Sequence, residues 1–177
     1  MQRIEIRRPV EEDRSELHHF FKTVITDTFN KNGIGDKAED LENEINEKKK
    51  YLELDYKSDG RERYFLIALS GSKIVGSIEY GPASELITDC SSGALSDLVE
   101  VGTVFVHPEH QRNGLGRALL EAIYDALHKR GIHEFCLDSG YESAQIIWRK
   151  KFGEPDYWMK DYWGEGMDHM IWKVSLQ

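Results

Sequence analysis

The chain has 177 residues, of which 40% are hydrophobic and 31% charged, and its formal net charge is −9. These values are typical of one globular domain over residues 1–177 with enough apolar side chains for a substantial core. The acidic balance argues against nucleic acid and against an anionic membrane as the main partner.

The first half of the chain predicts a strand, two helices and a hairpin. Charged and apolar residues alternate before Pro9, and an apolar helical face then recurs up to Phe29. The predicted elements are strand 3–8, helix 10–29, helix 36–56, strand 63–69 and strand 74–80. Residues 81–96 hold Pro82, Gly93 and several hydroxyl side chains, and we predict a loop there.

The second half alternates strands with helices. The predicted elements are strand 98–106, helix 115–130, strand 132–138, helix 143–151, strand 155–162 and strand 169–174. We expect Trp148 to lie in the core and Ser143 to cap its helix. The aromatic and acidic residues of 154–168 allow two interpretations, contact with a cationic substrate or ordinary packing.

Residues 104–117 carry the strongest functional signal. An apolar strand stops at Pro108, a polar loop follows, and Gly114-Leu115-Gly116 opens an amphipathic helix. Helix-start amides and the helix dipole attract anions, and glycines let phosphates approach the backbone. A dinucleotide fingerprint would need glycine where Leu119 stands, and a P-loop would need Lys-Ser or Lys-Thr after the second glycine. The pattern therefore predicts a pyrophosphate-binding loop that is neither a dinucleotide fingerprint nor a P-loop.

The spacing Gln111-x-x-Gly114-x-Gly116 resembles the acyl-coenzyme A loop of the GNAT superfamily of N-acetyltransferases. This resemblance implies an α/β (α+β) fold, with a mixed, mostly antiparallel sheet whose two central parallel strands splay apart, flanked by helices. It implies acetyl-coenzyme A as co-substrate, bound between the splayed strands. Separately, His18, His19 and His169 lack a set of ligand partners, so we predict no metal. The implied coenzyme-binding residues are Val104, Phe105, Val106, Arg112, Asn113, Gly114, Leu115, Gly116 and Arg117.

Acetyl transfer to an amine requires a proton acceptor, because alkyl amines are mostly protonated at neutral pH. Glu100, at the start of the central strand, is the predicted catalytic base; a solvated glutamate with a water chain as base is the alternative. In the family a tyrosine precedes the Leu-Gly that matches Phe152-Gly153, and its place is taken here by Arg149. The general acid is therefore open between another tyrosine, such as Tyr141 or Tyr157, and unassisted departure of the thiolate.

The predicted function is N-acetyl transfer to a primary amine on a small molecule or peptide, and the alternative is a non-catalytic acyl-coenzyme A sensor. The spacing of Cys90 and Cys136 predicts neither a disulfide framework nor a zinc site, and the histidines form no ligand set. With no apolar run of membrane-spanning length, the cytoplasm is the expected compartment. A monomer and a homodimer both remain open.

Overall fold

The computed structural model of the protein describes residues 3–177. Seven strands form one sheet in the order β1-β2-β3-β4-β5-β7-β6. The strands are β1 Ile4–Arg7, β2 Tyr64–Ser70, β3 Lys73–Pro82, β4 Val99–Val106, β5 Glu134–Ser139, β6 Tyr157–Met159 and β7 His169–Ser175. The α-helices are α1 Arg14–Lys31, α2 Ala38–Ser58, α3 Glu85–Cys90, α4 Leu115–Lys129 and α5 Glu142–Phe152.

The sheet is mixed and mostly antiparallel, with its parallel pair in the middle. The β1–β2, β2–β3, β5–β7 and β6–β7 pairs are antiparallel. The parallel ladder of β4 and β5 pairs only Val99 with Phe135 and Glu100 with Cys136, and β4 then continues to Val106. So short a ladder is expected for strands that splay apart, and the predicted fold class is confirmed.

The chain divides into two compact units, and β4 passes from one to the other. Unit 1 comprises Met1–Tyr80 and Thr103–Arg130, with β1 to β3, α1, α2 and α4. Its core is formed by apolar side chains of helices and strands alike: Leu17, Phe21, Leu52, Phe65, Ile67, Ile78, Leu119, Ile123 and Leu127.

Arg130 ties the C-terminal end of α4 to other parts of unit 1. Its Nη1 donates to the carbonyl oxygen of Gly60 at 3.1 Å. Two guanidinium groups contact the Tyr64 ring, with Arg8 at 4.4 Å and Arg130 at 4.8 Å from its centroid. These cation–π contacts join α4 to β2 and to the segment after β1.

Unit 2 comprises Gly81–Gly102 and Gly131–Gln177, and α3 and α5 pack within it. One core cluster is made of Ile87, Leu95, Cys136 and Ile171, which are all buried. The largest buried side chain is Trp172, whose indole N–H donates to the carbonyl oxygen of Gly153 at 2.9 Å.

Three local predictions are wrong. The segment 81–96 is not all loop, because it contains α3, whose N-cap Ser84 accepts a hydrogen bond from the Ile87 amide. Strand β6 ends at Met159 rather than at residue 162. Helix α5 begins at Glu142 with Tyr141 at its N-cap, so Ser143 lies inside the first turn and is not the cap.

Two findings complete the description of the fold. Trp148 is buried and stacks on Phe152 with ring centroids 5.7 Å apart, so its predicted place in the core is confirmed. No helix between residues 3 and 177 is both long enough and apolar enough to cross a membrane.

Candidate functional site

The start of α4 has the backbone geometry of an anion site. Gly114 is the N-cap residue with a φ of 79°, and no side chain caps the helix. The first bond of the helix joins the Ala118 amide to the Gly114 carbonyl oxygen at 3.1 Å. The amides of Leu115, Gly116 and Arg117 therefore have no acceptor inside the helix, and they point out of its positive end.

The two glycines of the loop are required for different reasons. Gly114 has a positive φ, which most side chains disfavour. At Gly116 an added Cβ would meet only the Val106 Cγ2 atom, at 4.0 Å. Packing within the protein therefore does not explain the missing side chain at Gly116, and the space beside its backbone is open to a ligand.

Charge around the loop comes from exposed cations rather than from histidine. Arg112 and Arg117 are both exposed, and Arg117 pairs with Glu121 across one helical turn at 3.2 Å. Burial is the main cause that lowers the pKa of His107, with Lys73 acting in the same direction. The His107 ring is therefore neutral at pH 7 and adds no positive charge to the loop.

The backbone of β4 alternates between its two edges. The His107 amide donates to the Val75 carbonyl oxygen on β3 at 2.8 Å. By alternation, the main chain of Phe105 also faces β3, and that of Val104 and Val106 faces the opposite edge. The side chain of Phe105 packs against the Phe21 ring, with the two ring centroids 6.2 Å apart.

A local irregularity interrupts β4 at Thr103. This residue has a φ of 50°, unusual for a β-branched side chain, and is 5% exposed. Its carbonyl oxygen accepts a hydrogen bond of 2.9 Å from the Ser77 hydroxyl. Alternation along β4 is therefore broken between Glu100 and Val104, so an even spacing of four residues does not place these two side chains on one face.

Glu100 is half-buried and tied to α3. Its Oε1 atom accepts a hydrogen bond from the Ser84 amide at 2.8 Å. Ser84 is the N-cap of α3, so the carboxylate and this short helix share one anchor. Glu100 belongs to unit 2, whereas residues 104–117 lie together in unit 1.

A cysteine nucleophile does not fit the neighbourhood of Glu100. Cys136 is fully buried beside it in the ladder, and its thiol contacts the Val99 carbonyl oxygen at 3.5 Å. Burial, followed by the nearby Glu100 carboxylate, raises the pKa of Cys136 to about 12. The thiol is therefore protonated at neutral pH, and a thiolate is the reactive form.

Arg149 has partners of its own on the surface of unit 2. Its Nη2 lies 2.8 Å from the Glu154 carboxylate, and its guanidinium covers the Trp158 ring at 5.1 Å. An arginine that stays charged donates hydrogen bonds but not a proton. Tyr141, at the N-cap of α5, and Tyr157, in β6, are both half-buried.

Sequence reasoning missed a buried pair in unit 2. The His169 Nε2 atom lies 2.8 Å from the Asp138 carboxylate, and the ring is 5% exposed. The two residues are 31 positions apart, and only the pairing of β5 with β7 brings them together. Among residues 3–177, no three His, Cys, Asp or Glu side chains are grouped to hold a metal ion.

Comparisons with known proteins agree with this fold. A sequence model of the acetyltransferase (GNAT) family matches residues 34–153. A ribosomal protein bS18 alanine N-acetyltransferase of Escherichia coli strain K12 is 46% identical over 44 residues, which are 25% of this chain and 30% of that relative. The match thus spans less than a third of the curated relative.

Two solved structures share the fold over nearly their whole length. The PaiA N-acetyltransferase of Thermoplasma acidophilum, in complex with coenzyme A, has a TM-score of 0.71 at 22% identity, covering 98% of this chain and 99% of that one. A ribosomal-protein-alanine N-acetyltransferase of Brucella melitensis has a TM-score of 0.68 at 21% identity, covering 97% and 99%. The family match covers more than half of the sequence, and this chain therefore belongs to the GNAT family of acetyltransferases.

Proposed function

We propose that the protein transfers an acetyl group from acetyl-coenzyme A to a primary amine, without a covalent enzyme intermediate. The observation that carries this proposal is the start of α4, where three amides without helical acceptors meet an unfilled Cβ position at Gly116. Such a start suits the pyrophosphate of the coenzyme, because the amides neutralise the charge and the glycine lets the backbone approach.

Residues 112–117 supply the other contacts to the pyrophosphate. The exposed Arg112 and Arg117 provide charge, and the Arg117–Glu121 pair is too exposed to hold that arginine firmly. Asn113, Gly114 and Leu115 contribute main-chain groups. Salt should therefore weaken the binding of the coenzyme.

The pantetheine arm would pair with the open edge of β4. Its two amides match the main-chain groups of Val104 and Val106, which point away from β3. The Val106 carbonyl oxygen accepts a hydrogen bond from the Gln111 side chain at 3.3 Å, which a bound arm would replace or share. Phe105, with its main chain toward β3, supports the arm through packing rather than through hydrogen bonds.

Transfer then proceeds by direct attack of the amine on the thioester carbonyl carbon. Glu100 takes the proton that the amine loses, the C–N bond forms, and the C–S bond breaks to release the thiolate of coenzyme A. The hydrogen bond from the Ser84 amide to Oε1 fixes the position of the carboxylate. Tyr141 or Tyr157 would protonate the thiolate, or it leaves unassisted.

The acceptor is a primary amine on a small molecule or on a polypeptide. The relative from Escherichia coli is named for the alanine of a ribosomal protein, which supports a polypeptide amine as one class.

Arg149 favours a second candidate, an acyl-coenzyme A sensor without catalysis. It occupies the family's tyrosine position and is engaged with Glu154. Incubation with acetyl-coenzyme A and a panel of amines, followed by mass spectrometry, separates the two functions. We expect one or more acetylated amines; tight binding without turnover would identify a sensor, and absence of coenzyme binding would refute both.

A further inference from the structure

The segment between β6 and β7, residues 160–168, presents two aromatic rings to solvent. We call this segment the aromatic turn. Tyr162 is 46% exposed and Trp163 is 50% exposed. Their ring centroids are 4.9 Å apart and their planes stand at 77°. Two adjacent exposed aromatic side chains of this size are a feature of binding surfaces.

Hydrogen bonds within the aromatic turn hold its backbone. The Asp161 carboxylate accepts from the Gly166 amide at 2.7 Å, and Asp161 itself has a φ of 54°. The Asp168 carboxylate accepts from the Asp161 amide at 2.9 Å. The Trp163 amide donates to the Met167 carbonyl oxygen at 3.0 Å. The rings are therefore held in place before any ligand arrives, which lowers the entropy cost of binding.

His169 fixes the indole of Trp163. The Trp163 Nε1 atom lies 3.1 Å from His169 Nδ1, and an indole N–H can only donate. The Nδ1 atom must therefore be unprotonated, and the ring proton is on Nε2, facing the Asp138 carboxylate at 2.8 Å. A Cβ at Gly140 would lie only 2.8 Å from the indole nitrogen, so glycine makes room for it.

The charges of the aromatic turn are mostly negative. Residues 160–168 contain three carboxylates, of Asp161, Glu165 and Asp168, against one ammonium group, Lys160, a local balance of −2. Asp89 on α3 also acts electrostatically on Tyr162, whose hydroxyl contacts the Cys90 thiol. Aromatic faces within a negative field attract alkylammonium groups.

We propose that Tyr162 and Trp163 dock an ammonium group of the acceptor, separate from the amine that is acetylated, and that His169 positions Trp163 for this contact. The inference rests on the proposed transfer to an amine and deepens it. It assigns the acceptor to the class of molecules with two or more cationic amines. A free polyamine and a lysine-bearing peptide share this chemistry.

Calorimetry with spermidine, in the absence of acetyl-coenzyme A, tests the surface directly. We expect the wild type to bind spermidine, and Trp163→Leu and Tyr162→Leu each to weaken binding by about two- to fivefold, the usual size of a cation–π contact at an exposed site. Ile147→Ala is the control, because Ile147 is also an exposed apolar side chain but lies on α5, outside the aromatic turn. Equal losses in all three variants, or none, would overturn the proposal.

Other ligands identify the source of the ammonium group. The second ligand is a short peptide with two lysines. A higher affinity for this peptide than for spermidine assigns the surface to polypeptides. Butylamine carries a single charge, and if it binds as well as spermidine the requirement for a second cation is wrong. If sedimentation shows a dimer that Trp163→Leu dissociates, a second copy of the chain covers the surface and the proposal fails.

Substitutions of His169 test its positioning role. His169→Asn keeps an acceptor near the place of Nδ1, whereas His169→Leu removes it. We expect spermidine binding to survive in the first variant and to fall in the second as it does in Trp163→Leu. Equal losses in both variants would refute positioning.

Acetyl-coenzyme A binding, measured in parallel, keeps a failure of this proposal distinct from a failure of the proposed function.

Discussion

Replacement of Gly116 by alanine should change stability and coenzyme affinity in opposite directions. The added methyl group would meet only Val106 Cγ2 at 4.0 Å, so the fold accommodates it without strain. Alanine in a helix is favoured over glycine by about 0.5–1 kcal/mol. In a protein of this size that gain raises the melting temperature by roughly 1–4 °C.

The same methyl group would occupy the space through which the pyrophosphate reaches the helix start. Loss of one hydrogen bond to a charged group costs about 1.5–3 kcal/mol, which is a roughly 10- to 100-fold weaker affinity. Gly116→Val should abolish binding. Calorimetry with acetyl-coenzyme A measures the affinity, and thermal unfolding without ligand measures the stability.

An exposed site in another helix supplies the control for this experiment. Asn46→Ala in α2 raises helix propensity by a similar amount but lies outside the loop, so it should raise stability without changing affinity. Unchanged affinity in both Gly116 variants would refute the backbone approach at this residue. A lower melting temperature in Gly116→Ala would show that the space beside Val106 is not open.

Three further predictions concern charge. Neutralising Arg112 and Arg117 together should weaken acetyl-coenzyme A binding, and wild-type affinity should fall as salt rises. Glu100→Gln can still accept the hydrogen bond from the Ser84 amide but cannot take the proton of the amine. It should lower turnover by roughly 10²-fold and change coenzyme affinity little. Hydrogen bonds from the Asp161 amide and the Trp158 indole lower the pKa of Asp168. The stability this gives is present above the ordinary carboxyl pKa and is lost as pH falls through the lower, folded value. Asp168→Asn should therefore melt earlier than wild type at pH 7, and the difference should shrink as pH falls through that folded value.

Each of these predictions has a matched comparison. Lys57→Gln removes one exposed charge outside the loop, and an equal effect on affinity would make the arginine result non-specific. Ser84→Ala keeps the backbone amide that donates to Glu100 but removes the side-chain cap of α3. Its turnover therefore distinguishes loss of the proton acceptor from a disturbance of α3. Near-normal turnover in Glu100→Gln would assign proton removal to water. For Asp168, the pH dependence of thermal unfolding should flatten in the variant.

The loop and its helix are predictable from the sequence because their signals are local. Gly114 and Gly116 stand at the start of a 15-residue helix whose apolar face repeats over four turns, and the structure has this helix as Leu115–Lys129. The helical spacing of apolar residues can be recognised in a sequence only when the helix is several turns long. Helix α3 has only six residues, one of them the fully buried Ile87, and its hydroxyl-rich surroundings resemble a loop.

Features that depend on distant contacts could not be predicted. Thr103 adopts a positive φ inside a strand, and the Ser77 hydroxyl that bonds its carbonyl oxygen lies on another strand. Strand β6 stops early because Asp161 turns the chain and Asp168 holds it there. The pairing of His169 with Asp138 likewise exists only once β5 and β7 align.

The missing cap at Gly114 sets a gradient of mobility along α4. Its C-terminal end is fastened by Arg130 to Gly60 and Tyr64, whereas its first turn lacks a side-chain cap. Amide hydrogens should therefore exchange with solvent faster in the first turn than in the last. A bound pyrophosphate would complete that turn, so that coenzyme and helix start become ordered in a single event.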